Sequence, residues 1–291
     1  MSQELAPAIV GCYGVYPWTK AGPILVITKN DHVRRRQLME WSQPMLTYDH
    51  EHFLKKGFSF LGKVLSDEAL ALARQNLDRI IGELHPSLKA DEIYSAHQQE
   101  RWILEIACSK SLLDVIEQQI GPNIVLWSTH LICKAPQTGR PIPWHQDKPY
   151  WNTTKLAGSV WLAFDDVNHD NGTMFVLPEW HKRKDLPRRK TEDDLFNEEI
   201  ASGILPADVD ELEVGYFLRA GEGGVHDPFI PHRSTPNESN RWRRVLVCRY
   251  MSAEGEMGPM EYSDFRTAKP FSRKYLLVRG NDIAGKGLER V

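Results

Sequence analysis

Cysteine is scarce and scattered in this chain. Cys12, Cys108, Cys133 and Cys248 form no CxxC pair and no dense framework, which argues against a disulfide-stapled secreted scaffold and makes a reducing, cytoplasmic compartment the expectation. Long apolar runs are missing too. No stretch approaches the roughly 20 residues of a membrane span, and the N-terminal MSQELAPAIVGCYG has no basic region followed by an apolar core. Charge is nearly balanced, with 36 basic and 39 acidic side chains and a formal net charge of −3, so neither nucleic acid nor a membrane is an expected partner. The basic runs at 34–36 and 182–190 lie beside acids such as Asp185 and Glu192 and read as solvated surface. No internal repeat is visible.

What is present suits a folded domain: 41% hydrophobic and 26% charged residues over 291 positions are enough for a sizeable core. Residues 1–50 carry one strand-like run, Ile24–Thr28, and the aromatics Tyr13, Tyr16, Trp18 and Trp41. They read as an N-terminal extension, a lid or an interface element. The main domain is expected over 51–291. Its first clear elements are a short apolar strand and then an amphipathic helix: Ser66 is placed to cap it, Asp67 and Glu68 fall in the first turn, and Leu70, Leu72, Ala73, Leu77, Ile80 and Ile81 follow at helical spacing. A second helix runs from Ser109 to Ile120 and stops at Gly121-Pro122. Beyond Asn123 the chain turns to short β-branched and aromatic runs, IVLWSTHLICKAP, GSVWLAFDDV, TMFVLP and RRVLVCRYM, separated by turn signals such as Asn171-Gly172. These predict an all-β sandwich or barrel flanked by helices, with residues 182–214 as a charged insertion.

The chemistry-bearing motif is Trp144-His145-Gln146-Asp147. Residues two apart on an extended backbone share a face, so His145 and Asp147 can offer an imidazole and a carboxylate to one centre. A third donor is needed, and His232 leads, with His226, Asp227 and His169 as competitors. Two histidines and one carboxylate hold one face of a metal and leave the other open, the pattern of Fe(II) oxygenases rather than of closed structural zinc sites. An isolated HxD pair is weak evidence by itself, since most strand histidines are ordinary core or surface residues.

The segments PIPWHQDKPYW, VWLAFDDVNHDNGTMFVLPEWHK and PHRSTPNESNRWRRVLVCRYM resemble, in content and order, the phytanoyl-CoA dioxygenase family of Fe(II)/2-oxoglutarate oxygenases. FLKKGFSFLGKVLSDEALALARQNLDRII is similar to the family's N-terminal region, so the resemblance spans about residues 51–252. It implies a double-stranded β-helix, a jelly-roll or cupin-like barrel. It also implies His145, Asp147 and His232 as iron ligands, with Fe(II), 2-oxoglutarate and O2 as cofactor and cosubstrates. Arg243, eleven positions after His232, matches the family arginine that grips the far carboxylate of 2-oxoglutarate, a task suited to a planar fork of donors. Ser234 matches a supporting serine, and Trp161 a tryptophan set against the cosubstrate. Thr129 and His130 correspond to a pocket-lining strand, with Lys134 ranked behind them. Tyr150 and Trp151, directly after the motif carboxylate, are candidates for substrate contact.

Two departures stand out: Pro178-Glu179-Trp180-His181 replaces the common PGSH, putting a tryptophan and an acid at the expected pocket rim, and Arg233 replaces a common glycine. Because Asp147 is kept where halogenating relatives carry Gly or Ala, hydroxylation of a small polar or natural-product metabolite is the expected reaction. A cupin-like metal protein or isomerase that does not use 2-oxoglutarate is the alternative, and a homodimer is left open.

Overall fold

The computed structural model describes residues 46–191 and 198–291, so the expected strand at Ile24–Thr28 and the aromatic N-terminal cluster lie outside the described residues. Helix α1 (His50–Lys56) is started by Asp49, whose side chain accepts from the His52 amide, and is closed by Gly57 at φ 85°. It precedes β1 (Phe58–Lys63). Helix α2 (Asp67–Gly82) begins where the Ser66 hydroxyl accepts from the Ala69 amide at 3.1 Å, and it buries Leu70, Ala73, Leu77 and Ile80. The short strand β2 (Ile93–Tyr94) leads to α3 (Arg101–Ala107) and α4 (Lys110–Ile120), the latter stopping at Gly121.

The rest of the chain is mainly β. In order come β3 (Ile124–Lys134), β4 (Ile142–His145), β5 (Ser159–Ala163) and β6 (Met174–Val176). A hairpin of β7 (Arg188–Lys190) and β8 (Glu198–Ile200) precedes the short helix α5 (Val209–Leu212). Then follow β9 (Val214–Gly215), β10 (Glu222–His226), β11 (His232–Ser234) and β12 (Arg243–Ser252). The chain ends with β13 (Glu261–Ser263), β14 (Pro270–Ser272), β15 (Leu276–Arg279) and β16 (Glu289–Arg290).

The larger sheet has the order β1-β10-β5-β12-β3-β15-β16, with β2 also paired to β3; the smaller has the order β4-β11-β6-β9. From β3 to β6, and again from β9 to β12, successive strands therefore alternate between the two sheets, as in a jelly roll. Among the described residues no ladder joins the two sheets, so the expected barrel is a two-sheet sandwich open along its edges. Asn171-Gly172 is accordingly not a hairpin turn: with Gly172 at φ 96° it carries the chain from β5 in one sheet to β6 in the other.

Strand alternation sorts the large sheet into two faces. Leu131, Cys133, Leu246 and Cys248 join the main core, where Ala73, Leu77, Ile103 and Ile116 of the helices cover them. Trp161, Val245 and Val247 face inward and pack with Met174 and Val176 of the small sheet. The helices thus seal one face, and the other face looks into the sandwich, where the motif residues gather. Described insertion residues form the β7–β8 hairpin, tied by Arg188–Glu198 and Arg189–Glu199 ion pairs. Among the described residues no helix is long and apolar enough to cross a membrane.

Candidate metal centre and cosubstrate pocket

β4 and β11 pair antiparallel with His145 directly opposite His232, which brings two histidines 87 positions apart in the chain to a ring-centroid distance of 4.0 Å. Asp147 follows β4 at the start of a short 3-10 turn, and its carboxylate joins them. One ligand atom from each of His145, Asp147 and His232 lies within 4.8 Å of the others, and all three residues are buried. Each imidazole is oriented by the backbone: Nδ1 of His145 donates to the Pro143 carbonyl at 2.9 Å, and Nδ1 of His232 to the Ile230 carbonyl at 3.0 Å. Since a carbonyl only accepts, the proton sits on Nδ1 and Nε2 carries the lone pair, the arrangement a metal-binding histidine needs.

The electrostatics agree with that role. Burial holds the His145 imidazole below its ordinary range and the His232 imidazole well below it, so both are neutral near pH 7. Burial alone would raise the Asp147 carboxyl. The Arg249 guanidinium first, and then the neighbouring His226, outweigh that effect, leaving Asp147 an anion well below the usual carboxylate range. A buried anion between two neutral imidazoles is a donor set for a divalent cation.

His226 and His169, the rival ligands in sequence, separate here. His169 packs on Phe217, away from the cluster. His226 is close, with its ring centroid 5.0 Å from that of His232 and Nε2 3.8 Å from Asp147 Oδ2, yet it stands outside the three-residue set.

Arg243 is 1% exposed on the inner face of β12. Its Nη1 donates to the Ile132 carbonyl at 3.3 Å, its Nε is buried with no partner, and its guanidinium carbon lies 5.6 Å from the Trp161 ring. Desolvation pulls its pKa down to about 10, the mark of a buried charge without an adequate counter-ion. Arg243, Trp161, Ser234 and the His/Asp/His cluster line one cavity of about 50 Å³. Lys134, opposite Arg243 across the ladder, donates from Nζ to Ser234 Oγ at 2.8 Å and to the Thr235 carbonyl. A second cavity, of about 230 Å³, adjoins through His130, Asp147 and Arg249, and Tyr150 and Trp151 line it.

Thr129 requires correction. It has the same parity on β3 as Leu131 and Cys133, so its side chain points to the helix layer, where its hydroxyl bonds His97 Nδ1 at 2.9 Å. Its neighbour His130 is the one that lines the cavities. The Glu179-Trp180 edge also differs from expectation. Glu179 pairs with Lys56 at 2.6 Å and Trp180 stacks with Arg183 at 3.8 Å, and neither lines these two cavities. Lys134 and Arg249 are the site residues that sequence reasoning undervalued or missed. The alternation His130, Ile132, Lys134 on β3 and Arg243, Val245, Val247, Arg249 on β12 was the available signal.

The His97–Thr129 pair has a measurable consequence. Burial lowers the His97 pKa to about 3, against about 6.5 in an unfolded chain. The unfolded state therefore binds a proton between these values that the folded state does not, and the stability from neutral His97 is lost as pH falls below about 6.5. By pH 5 this amounts to about 2 kcal/mol. In urea titrations between pH 7 and 5, His97→Gln should show a stability slope shallower by about one proton than the parent, and equal slopes would contradict it.

A jelly-roll sandwich with a buried two-histidine, one-carboxylate cluster at its inner face defines the class of proteins built around a facial metal triad. The model of the phytanoyl-CoA dioxygenase family matches residues 53–245, about two thirds of the chain, and the chain belongs to that family, a branch of the 2-oxoglutarate-dependent non-haem iron oxygenases. Human peroxisomal phytanoyl-CoA dioxygenase is 25% identical over 177 residues, covering 59% of this chain and 52% of that protein, so the chain spans about half the length of that relative. A probable alpha-ketoglutarate-dependent hypophosphite dioxygenase of Stutzerimonas stutzeri is 30% identical, covering 59% and 61%. Among solved structures, EvdO2 of Micromonospora carbonacea var. aurantiaca complexed with 2-oxoglutarate superposes with a TM-score of 0.59 at 25% identity, covering 79% of this chain and 98% of that one.

Proposed function

We propose that this protein is an Fe(II)- and 2-oxoglutarate-dependent dioxygenase that oxidises a small polar metabolite, by hydroxylation as the default outcome, with release of succinate and CO2. The observation that carries this reading is Arg243: a guanidinium buried without a counter-ion, beside a His/Asp/His cluster, calls for an anionic ligand bound next to a metal. A cupin-like isomerase has no use for such an arginine.

In this reading His145, Asp147 and His232 would hold the iron, through Nε2, a carboxylate oxygen and Nε2. When bound, iron and 2-oxoglutarate supply the activation of O2. The chain's own residues position and shield. Arg243 offers its fork of N–H donors to the far carboxylate of 2-oxoglutarate, and Trp161 forms the wall beside it. Ser234 Oγ already accepts from Lys134 Nζ, which turns its own O–H towards that carboxylate as a further donor. Tyr150 anchors the rim, its hydroxyl donating to the Glu198 carbonyl at 2.7 Å and so joining the residues after Asp147 to the charged insertion. Both histidines stay neutral through burial, so the centre is ready for the metal near neutral pH.

The test is anaerobic addition of Fe(II) and then 2-oxoglutarate. A weak visible charge-transfer band that needs both components is the expected result, and an unchanged spectrum would favour the cupin-like alternative.

A further inference from the structure

The 230 Å³ cavity beside the cluster is walled by aromatic rings. Tyr94 and Tyr262 stack with centroids 5.3 Å apart, and Trp127 meets Trp151 edge-on at 4.8 Å. Its polar equipment is lopsided. Arg249 is the one Lys or Arg among its described lining residues, and the one carboxylate there, Asp147, belongs to the metal cluster. The Arg249 side chain is 11% exposed, its Nε is buried without a partner, and its nearest charge, Asp147 Oδ1, stands 3.9 Å away, beyond hydrogen-bonding distance. The guanidinium lies 5.0 Å from the Trp151 ring. Trp127 adds a second orphan donor, an indole N–H buried without a partner. Two unpartnered donors and no spare acceptor charge describe a pocket for an anion.

Arg249 repeats Arg243 six residues along the same face of β12. A rise of about 3.3 Å per residue separates their Cα atoms by about 20 Å. Arg243 lines the smaller cavity with Trp161 and Ser234 and does not line the aromatic one, while Arg249 lines both. A five-carbon diacid held at the metal and at Arg243 leaves Arg249 unanswered, and a metal bound by Asp147 removes the nearest negative charge from it. We infer that the oxidised substrate carries an anionic group, a carboxylate or a phosphonate, that pairs with Arg249, while its apolar body rests between the Tyr94–Tyr262 and Trp127–Trp151 walls. This rests on the reading of His145, Asp147 and His232 as the metal centre. Arg249 is then the residue that selects the substrate class and sets which end of the molecule approaches the metal.

The experiment uses the full chain, anaerobic, with Fe(II) and saturating 2-oxoglutarate so that Arg243 is occupied. Phenylphosphonate, phenylacetate and the neutral benzyl alcohol are titrated, with binding read from tryptophan fluorescence and the metal–cosubstrate complex read from its visible band. At least one anion should bind about tenfold or more tightly than the alcohol, and which one does so distinguishes phosphonate from carboxylate. Arg249→Gln should abolish that preference, with anion affinity falling at least about thirtyfold, while the visible band and alcohol binding persist; Arg249→Lys should recover part of the preference and guards against misfolding of the Gln variant. Equal binding of anions and alcohol by the parent, or a preference that survives in Arg249→Gln, overturns the inference. Loss of the visible band in Arg249→Gln also overturns it, since Arg249 would then be holding the Asp147 carboxylate. Absence of the band in the parent protein defeats the functional reading instead, and the fluorescence comparison still decides whether Arg249 selects anions.

Discussion

Replacing Arg243 by Ala should raise the 2-oxoglutarate concentration needed for half-saturation by roughly thirtyfold to several thousandfold, with iron affinity nearly unchanged. Truncating one partner of a desolvated charge pair costs about 2–5 kcal/mol, because the remaining carboxylate is left buried without its counter-ion. The environment places Arg243 in that regime: it is 1% exposed, and its pKa is pulled down to about 10 by desolvation. Lysine should rescue little, since a single ammonium cannot reproduce the bidentate fork. Arg241 is the internal control. It lies two positions earlier, in the bend before β12, where it is exposed and pairs with exposed Asp170 at 3.2 Å, so Arg241→Ala should leave the 2-oxoglutarate requirement within about twofold, as surface ion pairs contribute little. The visible-band titration reads both variants under the same conditions. Parallel behaviour of the two would mean that the cosubstrate anchor has been assigned to the wrong position of β12.

The elements legible in the sequence are those whose signal is local. Helix α2 was readable because the Ser66 cap and the spacing of Leu70, Ala73, Leu77 and Ile80 repeat one face over 16 residues. Helices α1 and α3 have seven residues each, too short for a period to stand out, and went unread. Along β12 the alternation of Arg243, Val245 and Val247 against Arg244, Leu246 and Cys248 was correct because Arg244 marks the outer face, where it pairs with Asp165. Strand β3 defeated the same logic. It is buried on both faces, so no polar side chain flags the solvent side and its register floats by one residue in the reading. That slip moves Thr129 into the pocket and ranks His130 second, when the structure does the reverse. The Glu179–Lys56 pair and the approach of Arg249 to Asp147 depend on residues about a hundred or more positions apart, and spacing in one sequence carries no information on such meetings.

Asp147→Ala should abolish stoichiometric Fe(II) binding and turnover while leaving the fold intact, and His145→Ala should do the same. Two remaining donors are too few to hold Fe(II) against solvent and buffer. The candidate substitute is His226, whose Nε2 stands 3.8 Å from Asp147 Oδ2 but which is not one of the three clustered ligands. The core does not depend on the cluster: Ala73, Leu77, Ile103 and Ile116 pack on the opposite face of the large sheet, and on the inner face Trp161, Val245 and Val247 pack with Met174 and Val176. The two variants should nonetheless differ in the apo state. Removing Asp147 takes away the nearest counter-charge of Arg249, leaving a buried guanidinium uncompensated, whereas removing His145 deletes a neutral ring and the bond to the Pro143 carbonyl. Apo Asp147→Ala should therefore melt below apo His145→Ala, and added chloride or phosphate should narrow the gap by supplying an anion near Arg249. Iron quantified per chain after anaerobic desalting decides the first claim, with retention of one equivalent in either variant removing the triad assignment. Thermal melts with and without phosphate decide the second, with a gap insensitive to the anion meaning that Arg249 does not feel the loss of Asp147.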